Sequence, residues 1–145
     1  MILLDVKGIT KTFGGVKALE DVDLSINGGE IVSLIGPNGA GKTTVFHLLS
    51  GFQVPTEGTI CFKGVSVVGA KPHAICRRGL ARTFQIVQPF VNLSALDNVM
   101  VGAFNRTDEV AAARRRAVEV LDFVGLGSRH DVLARELTLS DRKRL

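Results

Sequence analysis

Apolar and polar residues alternate through Val22-Asp23-Leu24-Ser25-Ile26, a period of two that predicts a strand with one buried face, and residues 2–9 read as an earlier strand. Asn27-Gly28-Gly29 turns the chain into a third strand at 30–35, where Ile31-Val32-Ser33-Leu34-Ile35 is an apolar run suited to a buried position. Closely spaced strands joined by a tight turn predict antiparallel pairing. Farther on, Val45-Phe46-His47-Leu48-Leu49-Ser50 continues a helix that Gly51 is placed to end in the left-handed conformation, with His47 read as a helix-face residue rather than a ligand. Thr59-Ile60-Cys61-Phe62 and Val65-Ser66-Val67-Val68 predict short strands joined at Lys63-Gly64. Pro72 to Gly79 predicts a short helix with proline in its first turn, and Leu80-Ala81-Arg82-Thr83-Phe84 a returning strand with Gln85 at its end. From about Asn92 the pattern is helical: Ser94 is a capping residue, and 108–124 is a long amphipathic helix. Arg114, Arg115 and Arg116 are consecutive, so they fan around that helix as a solvated face.

One stretch adds chemistry to this pattern. Directly after the run at 30–35 comes Gly36-Pro37-Asn38-Gly39-Ala40-Gly41-Lys42-Thr43-Thr44, a glycine, four residues, then Gly-Lys-Thr. Strand, glycine-rich loop and helix in that order describe a phosphate-binding loop. Glycines at 36, 39 and 41 let the backbone wrap with its N–H groups inward, and a helix starting near Lys42 turns its unpaired N–H groups and positive dipole end toward the same phosphates. Lys42 is expected to reach the β- and γ-phosphates, and the Thr43 hydroxyl to ligate Mg²⁺. The plain alternative is a glycine-rich turn that merely enters a helix. Upstream, Lys11-Thr12-Phe13-Gly14-Gly15-Val16-Lys17-Ala18-Leu19 places an aromatic and a valine on either side of a Gly-Gly turn. Phe13 is either an adenine platform, since a ring stacks on a base with no hydrogen-bond demand, or an ordinary loop or core phenylalanine. Gln85, at a strand end near a phosphate loop, can offer its amide oxygen to Mg²⁺ and help place an attacking water; read alone it is a polar loop residue.

Composition narrows the partners. With 145 residues the chain can build one domain with a core. Its formal charge of +4, from 18 Lys+Arg against 14 Asp+Glu, and its pI of about 9.4 suit a polyanionic ligand such as a nucleotide but are modest for a nucleic-acid binder. Cys61 and Cys76 lack metal-ligand spacing and are read as reduced thiols of a cytosolic protein, so no disulfide is expected. No apolar run reaches the roughly 18–20 residues of a membrane span, and Met1-Ile2-Leu3-Leu4-Asp5 lacks the features of a signal peptide. The chain is therefore expected to be soluble by itself.

The order of these features resembles the ATP-binding subunit of an ATP-binding-cassette (ABC) transporter. Lys11-Thr12-Phe13-Gly14-Gly15 corresponds to the adenine-stacking loop, 36–44 to the phosphate loop, and Gly79-Leu80-Ala81-Arg82-Thr83-Phe84-Gln85 to the approach to the Q-loop. Gly14-Gly15-Val16-Lys17-Ala18-Leu19, Ala81-Arg82-Thr83-Phe84-Gln85 and Asn98-Val99-Met100-Val101-Gly102 look like the subfamily that imports branched-chain amino acids and related polar solutes such as urea. The resemblance implies an α/β P-loop NTPase fold, with an antiparallel β subdomain and nucleotide core over about 1–90 and a helical subdomain over about 91–145, truncated at the signature region. It implies ATP and Mg²⁺ as cofactors. Phe13, Val16, Gly36, Pro37, Asn38, Gly39, Ala40, Gly41, Lys42, Thr43 and Thr44 would hold the nucleotide, Lys42 and Gln85 would act in catalysis, and Thr43 and Gln85 would ligate the metal. Two such subunits, identical or different, would sandwich two ATPs on the cytoplasmic face of the plasma (inner) membrane. They would drive transmembrane permease subunits served indirectly by a solute-binding protein, with no nucleic acid involved.

Two departures from the family pattern shape the expectation. The sequence stops at Leu145, before the family's second acidic motif and switch histidine, so it is read as the amino-terminal piece of a longer ATPase, inactive alone. The signature, Leu-Ser-Gly-Gly-Gln in the family, is represented by Leu137-Thr138-Leu139-Ser140-Asp141. Anchoring on the basic tail Arg142-Lys143-Arg144-Leu145 aligns Thr138 with the signature serine; anchoring on the literal pair aligns Leu139-Ser140 instead. In the first register Asp141 replaces glutamine and either repels phosphates or points to solvent and neutralises Arg142 or Arg144. A soluble ABC-type ATPase and a nucleotide-binding regulator remain the alternatives. A small-molecule P-loop kinase does not account for the antiparallel strands before the loop or for Gln85.

Overall fold

A computed structural model describes all 145 residues and divides the chain into two compact units, Met1–Arg82 and Thr83–Leu145. The first unit is built on a four-stranded antiparallel sheet in the order β2-β1-β3-β4, from β1 (Ile2–Phe13), β2 (Val16–Asn27), β3 (Glu57–Phe62) and β4 (Val65–Ser66). β1 and β2 are longer than the pattern suggested. Residues 10–13 and 16–21 pair instead of looping, because Gly14 and Gly15 both take positive φ (50° and 87°) and close a two-residue hairpin with Phe13 opposite Val16. Lys63 and Gly64 (φ 52° and 75°) do the same between β3 and β4.

The buried face of β1 changes parity midway. Leu4 and Val6 are buried, and so is Ile9, three residues farther on. A bulge at Lys7-Gly8 makes this possible: the register shifts between Val6 and Ile9, Gly8 has φ 59°, and its N–H donates to the Asp23 carboxylate at 2.7 Å. Gly58 (φ 91°) sits against this kink, where a Cβ would come within 2.4 Å of the Gly8 carbonyl oxygen. On the core face Leu4, Val6, Ile9, Ile60 and Phe62 meet Val45, Leu48 and Leu49 from helix α1 (Lys42–Leu49) and Ile75 from helix α2 (Pro72–Arg78). Each such side chain contributes about 1.5–3 kcal/mol by leaving water.

Gly51 (φ 75°) follows α1 and Gly79 (φ 106°) caps α2, as their sequence positions predict, with Pro72 in the first turn of α2. Two predicted strands do not form. Residues 30–36 and 80–84 have no ladder partner, and Ile31, Ile35 and Phe84 are 98%, 90% and 51% exposed. A strand exists only through a neighbour's N–H and C=O groups, and the sheet offers these runs none.

In the second unit, α3 (Ala95–Ala103) packs on α4 (Val110–Phe123), and two 3₁₀ turns, Gly127–Arg129 and Ala134–Glu136, lead to α5 (Leu139–Arg144). Ala95, Leu96, Ala117, Leu121, Leu126 and Leu137 form its core. Ser94 caps α3 by accepting from the Asp97 N–H at 3.0 Å. Asn98 fastens the preceding loop, accepting from the Phe90 N–H at 2.8 Å and donating to the Phe90 and Ser94 carbonyls at 3.1 and 2.8 Å. Arg114, Arg115 and Arg116 are exposed, and Arg116 pairs with Glu119 at 2.7 Å. No helix is long and apolar enough to cross a membrane.

Candidate functional site

The glycine-rich loop runs from the carboxyl side of the exposed run 30–35 into α1. Gly39 and Gly41 have φ of 84° and 81°, which fold the chain back on itself at little steric cost. Gly36 does not take positive φ; its requirement is space, since a Cβ there would meet that of Ala40 at 3.4 Å. The Ala40 N–H donates to the Pro37 carbonyl at 3.3 Å, closing a turn. Gly41 is fixed from outside the loop as well. A Cβ at this position would lie 2.6 Å from both the Ala18 carbonyl oxygen and a Leu19 methyl, so the absence of a side chain seats the start of α1 directly on β2.

The amino end of α1 is stocked with donors. The helix has no side-chain cap and no acidic residue in its first turn, and its first ladder bond runs from the Val45 N–H to the Gly41 carbonyl. The N–H groups ahead of Val45 therefore lack helical partners, and the dipole adds positive potential there. The Lys42 ammonium lies across the loop, donating to the Gly36 and Pro37 carbonyls at 2.7 and 2.6 Å. Residues 36–40 are exposed, as is Thr43 with its hydroxyl at the same helix end, while Thr44 is half-buried. A loop of backbone donors plus an ammonium fits a polyphosphate. One hydroxyl fits Mg²⁺, which keeps most of its shell from water and phosphate oxygen and needs few protein ligands. No cluster of three or more His, Cys, Asp or Glu provides an all-protein metal site.

Phe13 and Val16 stand at the tip of the β1–β2 hairpin, 43% and 69% exposed, and Ala18, two residues along β2, is the residue Gly41 rests against. The glycine-rich loop thus meets β2 two residues from Val16, at the hairpin tip. Phe13 is not part of the core of this unit. A residue that the sequence pattern did not single out also belongs here: the Lys11 ammonium lies 5.0 Å from the centre of the Phe13 ring and donates to the Val54 carbonyl at 2.8 Å. The signal was present, because residues i and i+2 of a strand share a face, so a lysine two before an exposed aromatic lies beside it.

His47, on α1, packs edge-on against Phe52 with ring centres 6.0 Å apart. Gln85 lies in the second unit, exposed, in a bend beyond the non-strand run 80–84 rather than at a strand end. Thr138 caps α5, accepting from the Asp141 N–H at 3.1 Å. This favours the register that aligns Thr138 with the signature serine, because the helix starts where that register starts it. Asp141 follows neither sequence expectation fully. It is buried, and its carboxylate accepts from the Arg144 guanidinium rather than facing solvent or a ligand. Hydrogen bonding to the Thr138 hydroxyl, then to Arg144, holds its pKa below the usual carboxylate value.

A family model described as "ABC transporter" matches residues 19–145. The chain is 46% identical over 99 residues to the high-affinity branched-chain amino acid transport ATP-binding protein BraF of Pseudomonas aeruginosa, spanning 68% of this chain and 39% of that protein. It is 36% identical over 146 residues to the lipoprotein-releasing system ATP-binding protein LolD of Bacteroides thetaiotaomicron, spanning 99% of this chain and 67% of that one. Among solved structures, the ADP conformation of MJ1267, an ATP-binding cassette of an ABC transporter, superposes with a TM-score of 0.84 at 29% identity, covering 99% of this chain and 62% of the other. The chain spans about two fifths to two thirds of the length of these relatives.

Proposed function

Since this chain belongs to the ABC transporter family and has that family's α/β P-loop fold, we propose that it binds ATP–Mg²⁺ and forms the amino-terminal part of a transport ATPase. The observation that carries this reading is the uncapped amino end of α1, set behind the left-handed turns at Gly39 and Gly41 with Lys42 across it. Gly36, Pro37, Asn38, Gly39, Ala40, Gly41 and Thr44 would wrap the phosphates and Lys42 would bind them, exchanging its two carbonyl partners for phosphate oxygens. The Thr43 hydroxyl and Gln85 would hold Mg²⁺, with Gln85 also ordering the attacking water. Phe13 and Val16 would contact the adenine. ATP supplies the phosphoryl bond whose hydrolysis powers transport, while these residues bind it and place the water. The working assembly would be a pair of such subunits under a transmembrane permease, on the cytoplasmic face of the membrane.

For the transported solute, the similarity to BraF supports a branched-chain amino acid, and the sequence resemblance adds a urea-like molecule as a related reading. Lipoprotein release is the second reading, supported by the match to LolD across 99% of this chain. Uptake of labelled leucine and of urea by cells with and without the protein separates the two, since loss of neither uptake favours lipoprotein release. The nucleotide claim is tested by Lys42→Ala in the native full-length protein. A charge-assisted contact is worth about 1.5–3 kcal/mol, so calorimetric ATP affinity falls about ten- to a hundredfold; unchanged affinity refutes the site.

A further inference from the structure

The reading of Phe13 as the base platform leaves open what holds an exposed ring at the tip of a hairpin. We infer that Lys11 is a positioning residue for nucleotide base binding: its ammonium backs one face of the Phe13 ring and leaves the opposite face for the base. This rests on the proposed nucleotide site and goes one residue beyond it. The Lys11 nitrogen is 5.0 Å from the ring centre, within the range of a cation–π contact. It is not a loose surface charge, because it also donates to the Val54 carbonyl at 2.8 Å. That carbonyl is itself fixed: the Thr56 N–H donates to the Thr10 carbonyl at 2.8 Å, and the Thr12 N–H donates to the Thr56 hydroxyl at 3.1 Å, so residues 54–56 are stitched along the outgoing half of β1. The ring has few other restraints. It is 43% exposed, stacks on no other aromatic, and precedes two glycines around which an added Cβ would meet nothing within 4 Å. A cation on one face thus limits ring rotation and, by drawing π density toward itself, favours an electron-rich purine on the other.

The alternative is that Lys11 only anchors the 54–56 segment, and the two roles separate by ligand. Binding of Mg-ATP and of inorganic tripolyphosphate is measured by calorimetry on the native full-length protein and on Lys11→Met, Lys11→Arg, Phe13→Ala and the Lys11→Met/Phe13→Ala double variant. Methionine keeps the aliphatic stem and removes the charge. The expected result is a two- to fivefold weaker Kd for ATP in Lys11→Met with tripolyphosphate unchanged, near-native affinity in Lys11→Arg, and no added loss in the double variant over Phe13→Ala. Equal losses for both ligands, no loss for ATP, or an undiminished loss in the Phe13→Ala background overturns the inference. If the unsubstituted protein binds ATP no better than tripolyphosphate, the platform reading fails and Lys11 with it. If Phe13→Ala loses the preference and Lys11→Met keeps it, the platform stands and only the lysine is refuted.

Discussion

Two kinds of apolar run occupy the first unit. β1 and β3 pair, bury Ile9 and Ile60 completely and tolerate a bulge. Residues 30–35 are at least as apolar, yet lie in the open with Ile31 98% exposed. Hydrophobicity does not distinguish them; access to a neighbour does. The β1–β2 and β3–β4 hairpins each carry a left-handed turn that fixes the register, at Gly14-Gly15 and at Lys63-Gly64, and β1 and β3 then pair with each other, so every strand finds its neighbour within residues 2–66. A run that leads into a phosphate loop belongs in a parallel sheet, whose neighbours come from distant parts of a chain.

The largest expected effect breaks this contrast directly. Ile60→Ala removes a fully buried side chain at the centre of the sheet core and should cost about 2–5 kcal/mol in urea unfolding, whereas Ile31→Ala in the same chain should stay within about 0.5 kcal/mol. Comparable losses for the two would mean that 30–35 is buried in solution. In the native full-length protein, a strand partner over 30–35 would raise the cost of Ile31→Ala toward that of Ile60→Ala.

The same distinction explains which features were legible in the sequence. Turn glycines, Pro72 and the Ser94 cap are local signals, and the elements they announce are present; the spacing of 36–44 is another, and the loop and helix it announces are present without the strand before them. The strands expected at 30–35 and 80–84 rest on composition and need partners the sheet does not contain. The strands expected at 2–9 and 22–26 err the other way: the Gly-Gly turn between them is present, and the pairing runs on to it as far as Phe13 and Val16. In the candidate site the spacing makes the turn legible, since Gly39 and Gly41 take the left-handed conformation expected of them while Gly36 does not. Lys11 is legible only in part: its i, i+2 spacing from Phe13 places it on the same strand face, but where its flexible ammonium settles is not a local signal. The burial of Asp141 depends on a guanidinium three residues farther on.

Gln85 sharpens the comparison from the second run that forms no strand, at whose end it sits. If residues 80–85 serve to transmit nucleotide state, Gln85→Ala in the native assembly should lower transport-linked stimulation of ATP hydrolysis severalfold while changing ATP affinity by less than about twofold. ATPase rates with and without permease, alongside calorimetry, check this. Parallel falls in stimulation and affinity would make Gln85 a simple ligand or structural residue.

The smallest effect concerns a motif that, like the hairpins, satisfies itself locally. Thr138 caps α5, the Asp141 carboxylate is held by Thr138 and Arg144, and Arg144 reaches on to the Val124 and Gly125 carbonyls at 3.3 and 3.5 Å, at the end of α4. The carboxylate is engaged within its own unit, which removes the ground for expecting it to repel phosphates. Its pKa is lowered from an ordinary 3.8, chiefly by the Thr138 hydroxyl and then by Arg144. A depressed folded-state pKa contributes stability that is present above the unfolded value and is lost as pH falls through the folded one. Asp141→Asn should therefore lower the Tm slightly at pH 7, and the gap between variant and parent should narrow only as pH drops below about 4. Thermal melts at a series of pH values measure it. The same substitution should leave ATP hydrolysis by the native full-length protein unaccelerated, since no repulsion is relieved. A clear acceleration would show that the carboxylate faces the nucleotide in the working assembly, and that the pairing with Thr138 and Arg144 gives way there.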